Sequence, residues 1–156
     1  MNTDSFYQNM MKKKKVIRDT LNSFKLFGQV GNINTIRQIK NKKGQLSWVV
    51  RSEAMYWRKE NHIHAWFVDN CQDGVDDCGH HPVDSDTIEE FIVIAGDILK
   101  DHSLASEMMP TQSGFFFGGT ECDKYYYESL KATKKVFKKL LRPTSKRWQL
   151  YYHSSW

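Results

Sequence analysis

Two side chains capable of acid–base chemistry, Glu60 and His64, lie four residues apart in this sequence. At that spacing, both project from adjacent turns of one helical face. A carboxylate beside an imidazole can orient a general base or supply two ligands to a divalent metal ion. The alternative is an intrahelical hydrogen bond at the edge of the core. His64 also lies between Trp57 and Cys71, where partial desolvation lowers the pKa of an unpaired imidazole. His64 is therefore the candidate acid or base.

A second group of potential ligands, Cys71, Cys78, His80 and His81, does not have the spacing of a structural zinc site, and a second Cys-x2-Cys half is missing. The segment 73–77, DGVDD, has too few carboxylates at too irregular a spacing for a calcium loop. The sequence contains no Walker loop, no Gly-x-Ser-x-Gly elbow and no His-Glu-x-x-His motif. It predicts no metal and no cofactor, and it leaves open whether the protein is an enzyme.

The segment 111–127, TQSGFFFGGTECDKYYY, is unusually aromatic. Glycines beside a run of phenylalanines let the backbone turn sharply and let another group approach it closely. In a strand, the phenylalanine side chains would point alternately to two sides. Core packing explains the side chains on one side, and those on the other need a partner, such as a base ring or another element of the fold. The free amides of a helix that begins near Thr120 could hold a phosphate. Ordinary capping is the alternative, since Glu121 and Asp123 already satisfy the helix dipole.

The strongest helical pattern runs from Ser52 to about Cys71 and ends at Gly74. Steps of about 100° per residue place an apolar arc on one side and Arg58, His62 and Asp69 on the opposite, wet side. The arc consists of Tyr56, Ile63, Phe67 and Cys71, with Trp57 and Trp66 at its margins and Glu60 and His64 inside it.

Two further long helices and a hairpin complete the pattern. One helix is capped by Asp84 or Ser85, and another begins at a capping-box-like pair, Thr120 and Asp123, and ends before Pro143. Alternating residues on both sides of the turn 41–44 predict a β-hairpin. Val16, Leu21 and Phe24 fit a short amphipathic helix ending near Gly28.

These elements predict a compact, helix-rich α+β domain with three principal helices and a small antiparallel hairpin. The expected organisation is an N-terminal extension over 1–30, helical or mobile, a single globular domain over 31–142 and a C-terminal tail over 143–156. The aromatic end of that tail, TSKRWQLYYHSSW, either packs back on the body or is mobile.

The composition of the sequence restricts the expected cellular compartment and the expected class of binding partner. No apolar run is long enough to span a bilayer, and three cysteines, an odd number, fit reduced thiols. We therefore expect a cytoplasmic protein that does not bind membranes. The net charge is +5, but the lysines concentrate at Lys12–Lys15 and in the last helix, and residues 69–90 are acidic. Because a duplex-groove binder usually carries one coherent basic stripe, nucleic acid is not the expected partner.

Two blocks carry a resemblance to a known family: YWRKENHIHAWFVDNCQDGVDDC at 56–78 and PTQSGFFFGGTECDKYYYESLKAT at 110–133. They resemble the signature blocks of a family of small, largely uncharacterised proteins of bacteriophages and prophages. The resemblance covers about half the chain, with the two blocks in the same order. The chain departs from the family at its N-terminus, at Glu60, where a small residue is expected, and at Met109, which replaces leucine.

The resemblance implies a phage-type accessory protein in the cytoplasm of the infected cell, and by analogy one that interferes with host defence. The residues carried over combine aromatic faces with cations, amides and hydroxyls, a set suited to stacking a base and fixing phosphates. The predicted ligand-binding residues are Trp57, Arg58, Lys59, Asn61, His64, Gln112, Ser113, Phe115, Phe116, Phe117 and Thr120, and Trp66 is carried over with them.

The leading hypothesis is a protein that sequesters a small nucleotide-like ligand, such as a host immune signal. We expect His64, Asn61 and Trp57 inside its pocket, with Arg58 or Lys59 at the rim. One alternative is a hydrolase or transferase that uses His64 on a nucleotide-derived substrate. Another is an inhibitor that binds a host defence protein. The sequence leaves the ligand and a homo-oligomeric state open.

Overall fold

The computed structural model of the 156-residue chain describes residues 10–16, 18–19, 33–113, 119–142 and 149–155. The chain divides into two compact units, Met1–Tyr56 and Trp57–Trp156. The domain bounds expected from the sequence adjoin residues outside the described ranges, and they stay a prediction.

The first unit contains the hairpin that the sequence predicts. Strand β1, Ile33–Lys40, pairs with the antiparallel strand β2, Leu46–Ser52. The turn forms because the carboxamide oxygen of Asn41 accepts hydrogen bonds from the backbone N–H groups of Lys43 and Gln45, both at 2.9 Å. Gly44 supplies the left-handed backbone, with φ of 76°.

Residues 10–16 and 18–19 of the first unit are helical, and the side chains of Lys12–Lys15 are exposed. Val16, the first residue named in the predicted N-terminal helix, is therefore helical. Leu21, Phe24 and Gly28, which complete that prediction, lie outside the described residues.

The second unit contains four helices and two short strands within its described residues. They are α1 (Asn61–Cys71), β3 (His80–Val83), α2 (Ser85–Ile98), α3 (Ala105–Met108), α4 (Lys124–Leu140) and β4 (Leu150–His153), with a 3-10 turn at His102–Leu104 before α3. Strands β3 and β4 are antiparallel, and His81 lies opposite Tyr152. The predicted α+β class is confirmed, with α1, α2 and α4 as the three principal helices and small antiparallel sheets.

The prediction that the first of these helices starts at Ser52 is wrong. Ser52 is the last residue of β2, and the helix begins only at Asn61. Lys59 has a φ of 62°, a left-handed conformation that cannot continue into a right-handed helix. The predicted end is confirmed, since Gly74 has a φ of 76° and its N–H bonds the carbonyl of Val68 at 3.0 Å.

The face predicted for this helix is partly wrong. His62 was expected on the wet side, but only 3% of it is exposed, and Tyr56, which was expected in the apolar arc, is 69% exposed. The first two turns of α1 are buried on almost every side, and the exposed residues Asp69 and Asn70 come at its C-terminal end. The N-terminal part of α1 is therefore buried and its C-terminal end is exposed, and the helix does not have one buried and one exposed face along its length.

Caps set the starts of α2 and α4. Asp84, one of the two predicted caps, accepts a hydrogen bond from the N–H of Thr87 at 2.8 Å. The capping box predicted for the last helix is wrong, because Asp123 is itself the cap and accepts from the N–H of Tyr126 at 3.1 Å. Thr120 lies before the helix, and its carbonyl accepts from the hydroxyl of Thr111 at 2.6 Å.

The core of the second unit forms between the three principal helices and β4. The ring of Phe67 stacks on Tyr152 with centroids 4.1 Å apart, and Phe91 contacts Phe137 edge to face at 4.9 Å. The tail therefore packs back on the body over its described residues, because Tyr152 of β4 is 8% exposed. None of the helices described is both long and apolar enough to cross a bilayer.

Candidate functional site

Asn61, the first residue of α1, joins that helix to the segment predicted to form the binding wall. Only 2% of Asn61 is exposed. Its amide nitrogen donates to the carbonyl of Gly119 at 3.1 Å, and its amide oxygen accepts from the N–H of Gln112 at 3.0 Å. One buried side chain thus fixes both ends of the segment 112–119. Helix α1 therefore contacts the segment that begins at Thr111, as predicted, through the hydrogen bond between Asn61 and Gln112.

Several predicted site residues lie within three positions of Asn61 or of its two hydrogen-bond partners. Arg58, Lys59, Gln112, Ser113 and Thr120 are all exposed. The bond between Thr111 and Thr120 is a second link between the two ends of the segment. The backbone of these residues therefore lies near the N-terminal end of α1, and their side chains are open to solvent.

The N-terminal end of α1 carries groups of both charges. Helix α1 has no acidic residue in its first turn, and no side-chain cap bonds its first amides, which carry partial positive charge. Arg58 and Lys59 add two cations. Three acids, Glu60, Glu121 and Asp123, lie in the same stretches of chain. Burial raises the pKa of the Glu60 carboxyl, contact with Ser129 lowers it, and the charge of Asp123 raises it.

Trp57 belongs to the core rather than to this exposed end. Its indole N–H donates to the hydroxyl of Thr133 at 2.8 Å, and its ring packs on Phe67 with centroids 5.5 Å apart. Trp66 is likewise buried, edge to face with Phe91 at 5.0 Å. Both tryptophans stabilise the fold around the site.

His64 forms a different constellation from the one predicted. Its Nε2 lies 3.0 Å from a carboxylate oxygen of Asp76, and its Nδ1 lies 2.7 Å from the hydroxyl of Tyr152. The other oxygen of Asp76 accepts from the hydroxyl of Ser154 at 3.1 Å. Because a carboxylate only accepts, Nε2–H of a neutral His64 donates to Asp76, and the Tyr152 hydroxyl donates to Nδ1.

The predicted Glu60–His64 pair does not form, since both ring nitrogens of His64 bond other residues. Sequence reasoning missed the other members of this network. Tyr152 and Ser154 are far from His64 in sequence, and Asp76 lies in an irregular loop. Burial, and secondarily the charge of Asp76, raises the pKa of the Tyr152 phenol. The hydroxyl therefore stays protonated and can donate to His64.

His62, which sequence reasoning placed in water, is the most strongly perturbed titratable group on α1. The hydroxyl of Ser129 donates to the carbonyl of Tyr126 at 2.8 Å, so its oxygen accepts from Nε2–H of His62 at 3.0 Å. The His62 ring packs on Tyr126 with centroids 4.1 Å apart. Burial lowers the pKa of His62 to about 4. His62 is therefore a neutral core residue.

The cysteine and histidine group has separate roles in the structure. His81 bonds a carboxylate oxygen of Asp77 at 2.7 Å, and His80 stacks on His153 with centroids 4.4 Å apart. Burial, and secondarily the charge of Asp84, raises the pKa of the Cys71 thiol to about 11. Within the described ranges, no three His, Cys, Asp or Glu side chains are arranged to hold a metal ion.

Phe115, Phe116 and Phe117, together with Gly114 and Gly118, lie outside the described residues, so the predicted aromatic wall stays a prediction. An open concavity of about 480 Å³ lies elsewhere, lined by Asp97, Lys100, Asp101, Leu104, Glu107 and Met108. None of its lining residues was predicted as a site residue.

Comparison of the chain with protein-family models, curated proteins and solved structures found no match. The resemblance to a phage family therefore stays a prediction.

Proposed function

We propose that the protein binds a small, phosphate-bearing, nucleotide-like ligand at the N-terminal end of α1. The observation that carries the proposal is the pair of hydrogen bonds from buried Asn61 to Gln112 and Gly119. A buried amide with both ends satisfied by backbone groups holds its surroundings in one geometry. These bonds fix the backbone next to the cationic pair and the two exposed polar side chains, and a backbone fixed before the ligand arrives lowers the ordering cost of binding.

The chemistry of these groups suits each part of such a ligand. Arg58 can bond two phosphate oxygens at once, and Lys59 adds a second charge. Gln112 and Ser113 carry donors and acceptors for the edge of a base or for a sugar. The phenylalanines of the same segment supply the stacking surface that the sequence predicts. As a phage-type accessory protein, the chain would sequester a host signal of this class.

Calorimetry on the purified chain tests the proposal with ADP-ribose, a cyclic dinucleotide and adenosine as a control without phosphate. We expect saturable heat with at least one phosphate-bearing ligand and none with adenosine. The double variant Arg58→Gln/Lys59→Gln should bind about tenfold or more weakly, because it loses charge-assisted bonds. The matched variant Lys42→Gln/Lys43→Gln, which changes two exposed lysines of the hairpin turn, should bind like the original chain. No heat with any phosphate-bearing ligand would defeat the proposal.

A second candidate function, a hydrolase or transferase acting on a nucleotide-derived substrate, is favoured by the Asp76–His64–Tyr152 network. In it Asp76 orients the imidazole. The Tyr152 oxygen would bond to the substrate as its proton passes to Nδ1 of His64, and the imidazolium would give that proton to the leaving group as the bond to it breaks. His64→Ala should abolish turnover of a bound ligand, and Tyr152→Phe should reduce it by about 100-fold or more. Full turnover in His64→Ala would exclude this role.

A further inference from the structure

The described surface carries a second feature, a stripe of positive charge along α4 and the turn that follows it. We define the basic stripe as Lys131, Lys134, Lys135, Lys138, Lys139 and Arg142. Residues 129–142 contain no acidic residue. Steps of about 100° per residue place the five lysines within an arc of about 140° that spans about 12 Å of helix, and Arg142 lies in the turn beyond the helix.

The stripe lies opposite the face that α4 buries. Tyr126, Leu130, Val136 and Phe137 are buried, whereas Lys131, Lys135 and Lys138 are exposed. In the described part of the chain, none of those three lysines forms an ion pair; the salt bridge that α4 does form, Lys124–Glu128 at 3.7 Å, precedes the stripe. Like charges at these spacings repel one another by a few tenths of a kcal/mol per pair. Within the described residues, no ion pair therefore offsets the repulsion among Lys131, Lys135 and Lys138.

The stripe continues toward the end of α2 through Lys134. The side chain of Lys134 passes over Gly96 of α2, where an added Cβ would meet its ammonium group. Burial and then the neighbouring charges of Lys138 and Lys100 lower the pKa of Lys134, whereas the charge of Asp97 raises it. The glycine gives this lysine a path across α2 and brings it near Lys100, which is paired with Asp97 at 2.8 Å. Lys134 thus extends the stripe from α4 to the end of α2.

We propose that the basic stripe binds the phosphate backbone of a nucleic acid without reading its sequence. One cation per roughly 3 Å of helix matches the spacing of phosphates along one strand of a duplex, about 3.4 Å. The residues of the stripe differ from those of the ligand site proposed at α1. Sequence reasoning set nucleic acid aside because the lysines lie at both ends of the chain and not in one stripe; the lysines of the last helix do share one face of α4, and Lys12–Lys15 are not part of it.

An anionic membrane is the other polyanion that such a surface could meet. Helices that bind membranes also bury an apolar face in the lipid. Here the apolar face of α4 is already packed in the protein core, with Leu130 0% and Phe137 4% exposed. The stripe itself offers cations and no large exposed apolar side chain within the described residues. The observations therefore favour a nucleic acid.

Fluorescence anisotropy tests this proposal with a labelled duplex DNA and a labelled single strand of the same sequence, titrated at several KCl concentrations. Binding of either should weaken linearly with salt on logarithmic axes. The variant Lys131→Gln/Lys135→Gln/Lys138→Gln should bind at least tenfold more weakly, and its salt slope should be smaller by about 2 to 3. All three positions are exposed, so the fold should be unaffected, as circular dichroism would verify.

The variant Lys40→Gln/Lys42→Gln/Lys43→Gln is the matched control, since it removes three exposed hairpin lysines and changes the net charge equally. It should bind within twofold of the original chain. Three outcomes would overturn the proposal: no salt-dependent binding to either nucleic acid, equal losses in the two triple variants, or binding confined to phosphatidylserine vesicles.

Discussion

Asn61 and His64 lie three residues apart on one helix, yet their surroundings differ in what they leave available. Asn61 bonds two backbone groups, whose neighbours in the chain carry exposed side chains. His64 bonds two other side chains, Asp76 and Tyr152, in a network that is itself part-buried. The first region therefore presents groups to solvent, whereas the second directs its polar groups toward one another. A ligand is therefore expected at the first region and a proton relay at the second.

The largest effect should come from removing the Asn61 side chain. Asn61→Ala leaves the N–H of Gln112 and the carbonyl of Gly119 without their partner, and each unsatisfied group costs about 1 to 3 kcal/mol. We expect the free energy of unfolding to fall by about 2 to 4 kcal/mol in urea titrations. Asn70→Ala, an exposed amide on the same helix that bonds the carbonyl of Trp66, should change it by less than about 1 kcal/mol. Equal losses would erase the distinction.

A pH-dependent loss of stability should follow from His62, which lies between the two regions. Burial lowers the pKa of His62 from 6.5 to about 4. The unfolded chain therefore binds this proton first, so the stabilisation is complete above pH 6.5 and is lost as the pH falls toward 4. The loss is at most about 3 kcal/mol.

Urea titrations at several pH values would measure this contribution against His62→Gln, which keeps an amide N–H for Ser129 but does not titrate. The difference between the two chains should shrink from pH 7 to pH 4. A difference that is constant with pH would show that His62 is not buried in its neutral form.

Removing the Tyr152 hydroxyl should lower the free energy of unfolding by a smaller amount, through the His64 network. Tyr152→Phe keeps the ring stacked on Phe67 but deprives His64 of one partner. Loss of one part-buried hydrogen bond costs about 1 to 1.5 kcal/mol. Thermal and urea unfolding would measure it, with Tyr151→Phe, a 55% exposed neighbour on the same strand, as the control. An equal loss in the control would mean that the network adds nothing to stability.

The smallest effect should come from the cap of α4, which follows Gly119 and Thr120 in the chain. Asp123→Ala should cost about 1 kcal/mol, because the N–H of Tyr126 loses its acceptor. Thr120→Ala should cost less, since Thr120 contributes its backbone carbonyl, and not its side chain, to the bond with Thr111. A larger loss in Thr120→Ala would restore the capping box that the sequence predicted.

Local patterns were sufficient for much of the fold. The turn 41–44, the cap at Asp84 and the glycine stop at Gly74 are correct because each depends on residues only a few positions apart. The start of α1 could not be read this way, because an apolar pattern does not show that Lys59 adopts a positive φ. His62 was misplaced because a helical wheel assumes one buried face, whereas α1 is surrounded in its first turns.

The candidate site was predictable to the extent that its residues are neighbours in the chain. Arg58, Lys59 and Asn61 were chosen as a group, and Gln112 and Ser113 as another, from the two sequence blocks. That Asn61 joins them could not be derived, since Gln112 lies 51 residues away. The partners of His64 were missed for the same reason, because Tyr152 lies 88 residues along the chain. The aromatic residues of the C-terminal tail were the available sign that this segment packs on the body of the protein.

The central claim is that the N-terminal end of α1 binds a phosphate-bearing ligand and the His64 network does not take part in that binding. Calorimetric titration of one bound nucleotide into Arg58→Gln/Lys59→Gln and into Tyr152→Phe tests it most directly. We predict an affinity loss of about tenfold or more in the first variant and less than about twofold in the second. A large loss in Tyr152→Phe with unchanged affinity in the double variant would contradict the claim.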